Sequence, residues 1–486
     1  GTDDGRLHLT RDGGQTWVSL EENFLGVPRN TWIPHVEASK HDAATAYVVL
    51  DDHRRANWEP YVFKTTDHGE TWTSLATPNL WGYVHVIEED PVDPNLLFLG
   101  TEFHMYVSRD GGQSWHKWNH GIPTCPVRAL QVHPRDHDLV IGTFGRAAYV
   151  IDDIRPLRNR GEEAADAADT ALYLSEIPPC VQYQVKQTGE SRFPGGEEFR
   201  GETRPRGALI SFFVGDDEDL PKEVEVSFLD AEGEVVREFG RAVEPGLNRF
   251  SWDLRQKGFD TGGGGRFRGF RGGGGESTNL RDKPGGPDVL PGTYTLRLTL
   301  GEHTAEGPVE VLADPRVDIS LADRALKIAA IRRAGALSEV LGEVTKRIDR
   351  VRADVEFVKQ KAEEAKDDDA PEDAEHPQQA LLDAVEAFGK ALDAVDEELR
   401  GPREGGRGIN RRDTVSSRVR RAAFGMAGWD APTAGELRRI DEAEEDLREI
   451  IEKVNTVLDE DLKVLRGAFE ESGIQFLDGG DANSID

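Results

Sequence analysis

Residues 108–115 read S-R-D-G-G-Q-S-W, residues 65–72 read T-T-D-H-G-E-T-W, and residues 10–17 read T-R-D-G-G-Q-T-W. One eight-residue pattern in three copies is an internal repeat. Its acids Asp12, Asp67 and Asp110 are separated by 55 and 43 residues, in or just above the range of a four-stranded propeller blade, and the longer interval holds an insertion. Each copy is flanked in the same order by an apolar strand, an acidic turn, a second strand ending in Gly-Thr, a short loop and a third strand, with a fourth strand after the motif. Val84–Ile87, Leu96–Thr101, Met105–Ser108 and Ser114–Trp118 show this best. A further unit runs through Val127–Val132, Leu139–Thr143 and Tyr149–Asp152, where the motif has decayed to I-D-D. Gly1-Thr2 matches Gly100-Thr101 and Gly142-Thr143, so the chain opens partway through a unit and is expected to be the C-terminal portion of something longer. About three and a half blades over residues 1–155 form an open arc, which needs upstream blades or a second chain to cover its edges. Within the motif, the aspartate accepts backbone N–H groups of a hairpin turn, the glycine takes a conformation closed to other residues, and the tryptophan packs between blades. Asp12, Gly14 and Trp17, then Asp67, Gly69 and Trp72, then Asp110, Gly112 and Trp115 are therefore structural positions.

This pattern, S/T-x-D-x-G-x-T/S-W, is the Asp box or BNR repeat. The chain resembles sortilin-like and xyloglucanase-type propellers, and above all the large bacterial and archaeal sortilin-like proteins often labelled glycosyl hydrolases. That resemblance implies a β-sandwich and helices after the propeller. It also implies export or a place in the cell envelope, although no signal segment is present in this stretch and localisation stays open.

Function is expected on the loop face of the blades rather than in the Asp boxes. The loops entering first strands and joining second to third strands carry Trp32, His35, Trp58, Trp81, Tyr83, His85, His104, Arg128 and Arg146 as a ligand-binding set. Aromatic platforms stack on sugar rings or peptide side chains, and two carboxylates facing each other can cleave a glycosidic bond. Glu102 and Asp52 are the acids to test for that chemistry. Trp81, Tyr83, His35 and His85 also suit simple packing roles near strand starts. The leading expectation is a recognition scaffold for peptide or glycan, and the alternative is a polysaccharide-cleaving glycoside hydrolase. No H-E-x-x-H, G-x-S-x-G, Walker or C-x-x-C pattern occurs, and no cofactor or metal is expected.

Beyond the repeat, residues 156–204 read as a linker and residues 205–316 as an immunoglobulin-like β-sandwich. Its strands are expected at Leu209–Val214, Val224–Leu229, Val235–Phe239, Leu247–Leu254 and Thr293–Leu300. The run G-G-G-G-R-F-R-G-F-R-G-G-G-G at 262–275 reads as a solvated loop rather than an RNA-binding segment. Residues 317–472 follow three-to-four spacing and form a helical bundle, with an acidic break at 367–373, a capping box at Thr433 and Glu436, and a tail at 473–486. The fold class is thus multidomain, mainly β then α. A net charge of −32 opposes nucleic acid as a partner, and no apolar run is long enough for membrane insertion. Only 15 of 59 basic residues are Lys, an Arg-and-carboxylate balance that suits a high-salt habitat. Cys125 and Cys180 are too few for a disulfide framework.

Overall fold

A computed structural model describes residues 1–20, 23–158, 171–183, 203–260, 286–365, 377–402, 413–426 and 428–474. The runs at 262–275 and 367–373 lie outside the described residues, as does nearly all of the tail. The N-terminal third is a row of antiparallel sheets in sequential strand order. β1 (His8–Leu9) pairs with β2 (Val18–Ser19). The second sheet is β3 (Trp32–Ala38), β4 (Ala46–Asp51), β5 (Tyr61–Thr65) and β6 (Thr73–Ser74). The third is β7 (Val84–Glu89), β8 (Leu97–Thr101), β9 (Met105–Ser108) and β10 (His116–Lys117). The fourth has β11 (Val127–Val132), β12 (Leu139–Thr143) and β13 (Ala148–Ile151).

β4, β7, β8 and β9 are buried almost throughout, because the second and third sheets are covered on both faces. Val84, Ile87, Leu97, Leu99 and Tyr106 share a core with Tyr47, Val49 and Val62 of the sheet before. Their neighbours Val86, Phe98, Met105 and Val107 share another with Val127, Leu130, Leu139 and Ile141 of the sheet after. Period two therefore sorts side chains between two cores rather than between core and water. At the ends of the row the covering stops: Trp17, Val18, Val140 and Val150 are exposed.

The three Asp boxes close the turn after each third strand in one way. Asp110 Oδ1 accepts from Ser108 Oγ at 2.7 Å and Ser114 N at 2.9 Å, Ser108 Oγ accepts from Gly112 N at 2.8 Å, and Ser114 Oγ donates to Oδ2. Gly112 has φ +93°, and a Cβ there would lie 2.8 Å from Leu75 Cδ1 of the preceding blade. Asp12 and Asp67 repeat the pattern. Burial works to raise the Asp110 pKa, but the donors on Ser114 and Ser108 outweigh it and hold the carboxyl at about 2. A depressed carboxylate pKa contributes stability that is complete above its ordinary 3.8 and lost as pH falls through about 2. Asp110→Asn is expected to lower stability by roughly 1–2 kcal/mol at neutral pH. Urea midpoints followed downward in pH should show the gap between variant and wild type closing below pH 4.

The sandwich has one three-stranded sheet, β14 (Leu172–Leu174), β16 (Ala208–Val214) and β19 (Gly246–Trp252). A five-stranded sheet faces it, ordered β15 (Cys180–Val181), β21 (His303–Leu312), β20 (Gly292–Leu300), β17 (Glu223–Leu229) and β18 (Val235–Ala242). One core fills the space between them, with Phe228 and Trp252 stacked at 4.0 Å. β14 and β15 lie within the stretch read as a linker: they are too short to show a period, and they become strands by pairing with β16 and β21. Arg249 donates to the carbonyls of Asp152 and Asp153 at 2.7 and 2.8 Å, tying sandwich to propeller.

The helical part comprises α1 (Leu321–Glu364), α2 (Pro377–Arg400), α3 (Val415–Phe424), α4 (Ala434–Thr456) and α5 (Leu462–Ser472), with a π turn at Val457–Asp461 between the last two. Ser320 caps α1, and capping boxes open α3 at Thr414 and α4 at Thr433. Leu341, Ile348, Leu381, Phe388, Leu392, Ile440, Leu447 and Ile450 share its core. Helix α3 escaped the periodicity because ten residues hold less than three turns of pattern. Among the described residues no helix is long and apolar enough to cross a membrane. Cys125 and Cys180 are buried and unpaired.

Candidate functional site

A β-bulge recurs near the start of each first strand, between Trp32 and His35 in β3, Val84 and Val86 in β7, and Val127 and Ala129 in β11. A bulge re-aims the extra side chain out of the alternation. The bulged residues are His85 in one blade and Arg128 in the next, so one repeat position supplies two polar groups to one junction.

The end of β4 meets them. Asp51 Oδ1 accepts from His53 N at 2.9 Å and contacts His53 Nδ1 at 2.6 Å. Its other oxygen, Oδ2, lies 4.0 Å from His85 Nδ1. Asp51 and His85 are 2% and 4% exposed, and both Asp51 Oδ2 and His85 Nε2 are buried with no hydrogen-bond partner among the described residues. Burial, then the neighbouring Arg128 charge, pushes the His85 pKa down to about 4, so the ring is neutral at pH 7. Rings lie over this pair: His53 stacks on Tyr83 at 4.4 Å, Tyr83 meets His85 edge-on at 4.8 Å, and Trp58 sits 5.9 Å from Tyr83. Burial and then the Glu102 carboxylate raise the Tyr83 pKa, and a hydrogen bond to Glu102 keeps the phenol protonated. Trp58 and Trp81 are 54% and 70% exposed at the rim.

Of the residues singled out from the sequence, Trp58, Tyr83, His85, Glu102 and Arg128 come together here. Asp52 does not serve as an open acid: its oxygens take Arg55 Nε at 2.5 Å and Asn57 Nδ2 at 2.9 Å, which holds the insertion in shape. Trp32 lies under the Arg54 guanidinium at 4.6 Å. His35 sits on β3 with a buried Nδ1 that has no partner, and burial lowers its pKa. His104 meets Tyr106 edge-on at 6.3 Å. Arg146 is exposed in the β12–β13 loop, and the Arg128 guanidinium lies 5.0 Å over Phe144 of that loop. Asp51 and His53 belong to the 51–58 insertion expected on the loop face, but Asp52 and Trp58 were singled out there instead. Both faces of β4 are buried, so its pattern carries no sign of which adjacent aspartate turns into the junction. Among the described residues no three His, Cys, Asp or Glu side chains group as a metal site.

Comparison with known proteins agrees with the repeat. The BNR/Asp-box repeat model matches residues 106–117. An oligoxyloglucan-reducing end-specific xyloglucanase of Emericella nidulans is 30% identical over 132 residues, 24% of this chain and 15% of that protein. The match thus spans a small part of that relative's length. Among solved structures, YCF48 bound to D1 peptide is similar over 49% of this chain and 63% of its own, at 15% identity and a TM-score of 0.23. The GH74 xyloglucanase from Xanthomonas campestris is similar over 63% of this chain and 42% of its own, at 15% identity and a TM-score of 0.25.

Proposed function

We propose that the chain is a recognition module whose propeller loop face binds a neutral glycan at the junction of the second and third sheets. The observation that carries this is the buried pair Asp51 Oδ2 and His85 Nε2, both unpartnered, beneath the rings of His53, Tyr83 and Trp58. An unpaired buried polar atom costs roughly 1–3 kcal/mol, so a site that keeps one on each of two neighbouring side chains is suited to a ligand that satisfies both. A neutral imidazole beside a carboxylate offers hydroxyl groups a donor and acceptors, and ring faces above suit the apolar face of a pyranose. The name of the Emericella nidulans relative, a xyloglucanase, favours glycan over peptide. Glycoside hydrolysis is the weaker reading, because Asp52 is committed to Arg55 and Asn57.

The exposed end faces at Trp17, Val18, Val140 and Val150 support further blades, of this chain or another copy, completing a sortilin-like ring. Isothermal titration with neutral β-glucan oligosaccharides tests the binding reading. His85→Ala and Asp51→Asn are each expected to weaken binding at least ~10-fold, since the first removes the imidazole and the second turns one carboxylate acceptor into a donor and discharges the other. Asp52→Asn should leave affinity within about 3-fold if the insertion keeps its shape. Release of reducing ends by wild type, abolished in Glu102→Gln, would establish the hydrolase instead.

A further inference from the structure

Where the sandwich meets the first turns of α1, a guanidinium is buried with no anion in contact among the described residues. Arg324 is 2% exposed, and its Nη2 has no hydrogen-bond partner among the described residues. Its Nε reaches only the Ile319 carbonyl, at 3.4 Å. The guanidinium lies 4.5 Å over the Trp429 ring, and Trp429 is fixed in place by its Nε1 donating to Asp288 Oδ2 at 2.8 Å. The surrounding charges are engaged with one another: Lys327 with Glu436 at 2.8 Å, Asp314 with Arg316 at 2.7 Å, and Asp288 with Arg255 at 3.4 Å. Asp288 and Asp314 act on Arg324 only through space. A small cavity opens at this point, lined by Arg324, Lys327 and Asp288, by Val289, Ile328 and Ile331, and by Gly428 and Trp429, with room for about two water-sized bodies.

Stacking on indole stabilises a desolvated guanidinium but satisfies none of its N–H groups. A carboxylate from the protein would do so, yet both nearby aspartates are held by other partners. Water could accept from those N–H groups, but only a small mobile anion would also offset the buried charge. The lining favours a weakly hydrated one: Val289, Ile328, Ile331 and the indole offer no hydrogen bonds to replace the shell of a strongly hydrated ion. Arg324 lies in the first turns of α1, where the positive end of the helix adds to its charge.

We propose that this cavity is a halide site, with chloride held by Arg324 Nη2 and packed against Trp429, joining the sandwich to the helical bundle.

The test uses the full chain at constant ionic strength, with sodium gluconate, whose anion is too large to enter, replaced stepwise by sodium chloride. The unfolding midpoint should stay level below the dissociation constant of chloride and climb with the logarithm of its concentration above it, the folded-to-unfolded ratio growing about 100-fold once chloride exceeds that constant 100-fold. Arg324→Met, of similar length and uncharged, should remove the chloride-specific rise. Because that variant gives no answer if it does not fold, bromide is soaked into wild-type crystals as well, and its anomalous peak should lie beside Nη2. A flat chloride titration overturns the site, as does an equal response in folded Arg324→Met. Bromide density absent from the cavity, or present with no response in solution, overturns it too.

Discussion

Trp115→Ala is expected to destabilise the protein by about 3–5 kcal/mol, while Trp17→Ala, at the same place in the same motif, is expected to cost less than about 1 kcal/mol. Trp115 is 2% exposed and its Nε1 donates to the carbonyl of Leu75, in the preceding blade, at 2.9 Å. Removing it opens a cavity in the core between two blades and strands a buried carbonyl. Trp17 is 60% exposed, and its Nε1 turns back to Gly14 of its own turn at 3.1 Å. Trp72 lies between them: it bonds its own Gly69 carbonyl at 3.1 Å but packs on Phe24 at 5.0 Å, under Leu20 of the first sheet. Urea unfolding of the three variants should rank Trp115 above Trp72 above Trp17. An equal cost at all three would mean that the motif acts within its own turn, and that blade-to-blade packing is not what the tryptophan serves. If another blade covers the first sheet in the assembled ring, Trp17→Ala should become costly there and only there.

The sequence disclosed the repeat and its turns because they rest on local chemistry. An aspartate that accepts from residues up to four positions away, and a glycine at φ near +90°, leave a fixed spacing in the chain. Long helices were legible for the same reason: Ile348 and Leu341 recur at helical spacing whatever covers them. The site was legible only in part. Its rings and His85 stand out at strand entries, but the choice between Asp51 and Asp52 depends on which way one peptide turns at the end of β4. Both residues are buried and both accept hydrogen bonds, and only the partners differ: His53 for the first, Arg55 and Asn57 for the second. Short strands were invisible where pairing over long distance makes them, as with Cys180–Val181 alongside Val311–Leu312.

The end of β7 shows the same limit at larger cost. Glu88 and Glu89, its last residues, and Asp90 just beyond it read as an acidic turn in sequence, yet they are 2%, 1% and 0% exposed. Glu89 accepts from Tyr47 Oη at 2.9 Å, Ser39 Oγ at 2.8 Å and Lys40 N at 2.7 Å, all from the preceding sheet. Glu88 Oε1 takes Val132 N at 2.9 Å and Gln131 Nε2 at 3.0 Å from the following one, and Lys40 Nζ joins the two at 3.0 Å. Asp90 holds Arg158 through two bonds of 3.0 Å. Three consecutive acids thus bind neighbouring blades into one body, and their burial is tolerable because each is met by donors. Glu89→Leu keeps the volume but leaves the Tyr47 hydroxyl, the Ser39 hydroxyl and the Lys40 amide facing a hydrocarbon. The expected loss is about 3–5 kcal/mol. Glu89→Gln keeps an acceptor for part of the set and should cost less than half as much. Hydrogen exchange should place the damage at the β3–β4 turn and the start of β7's neighbour β8, with the sandwich and helices unchanged. Equal losses in Leu and Gln variants would mean that the charge, rather than the count of satisfied donors, holds the blades together.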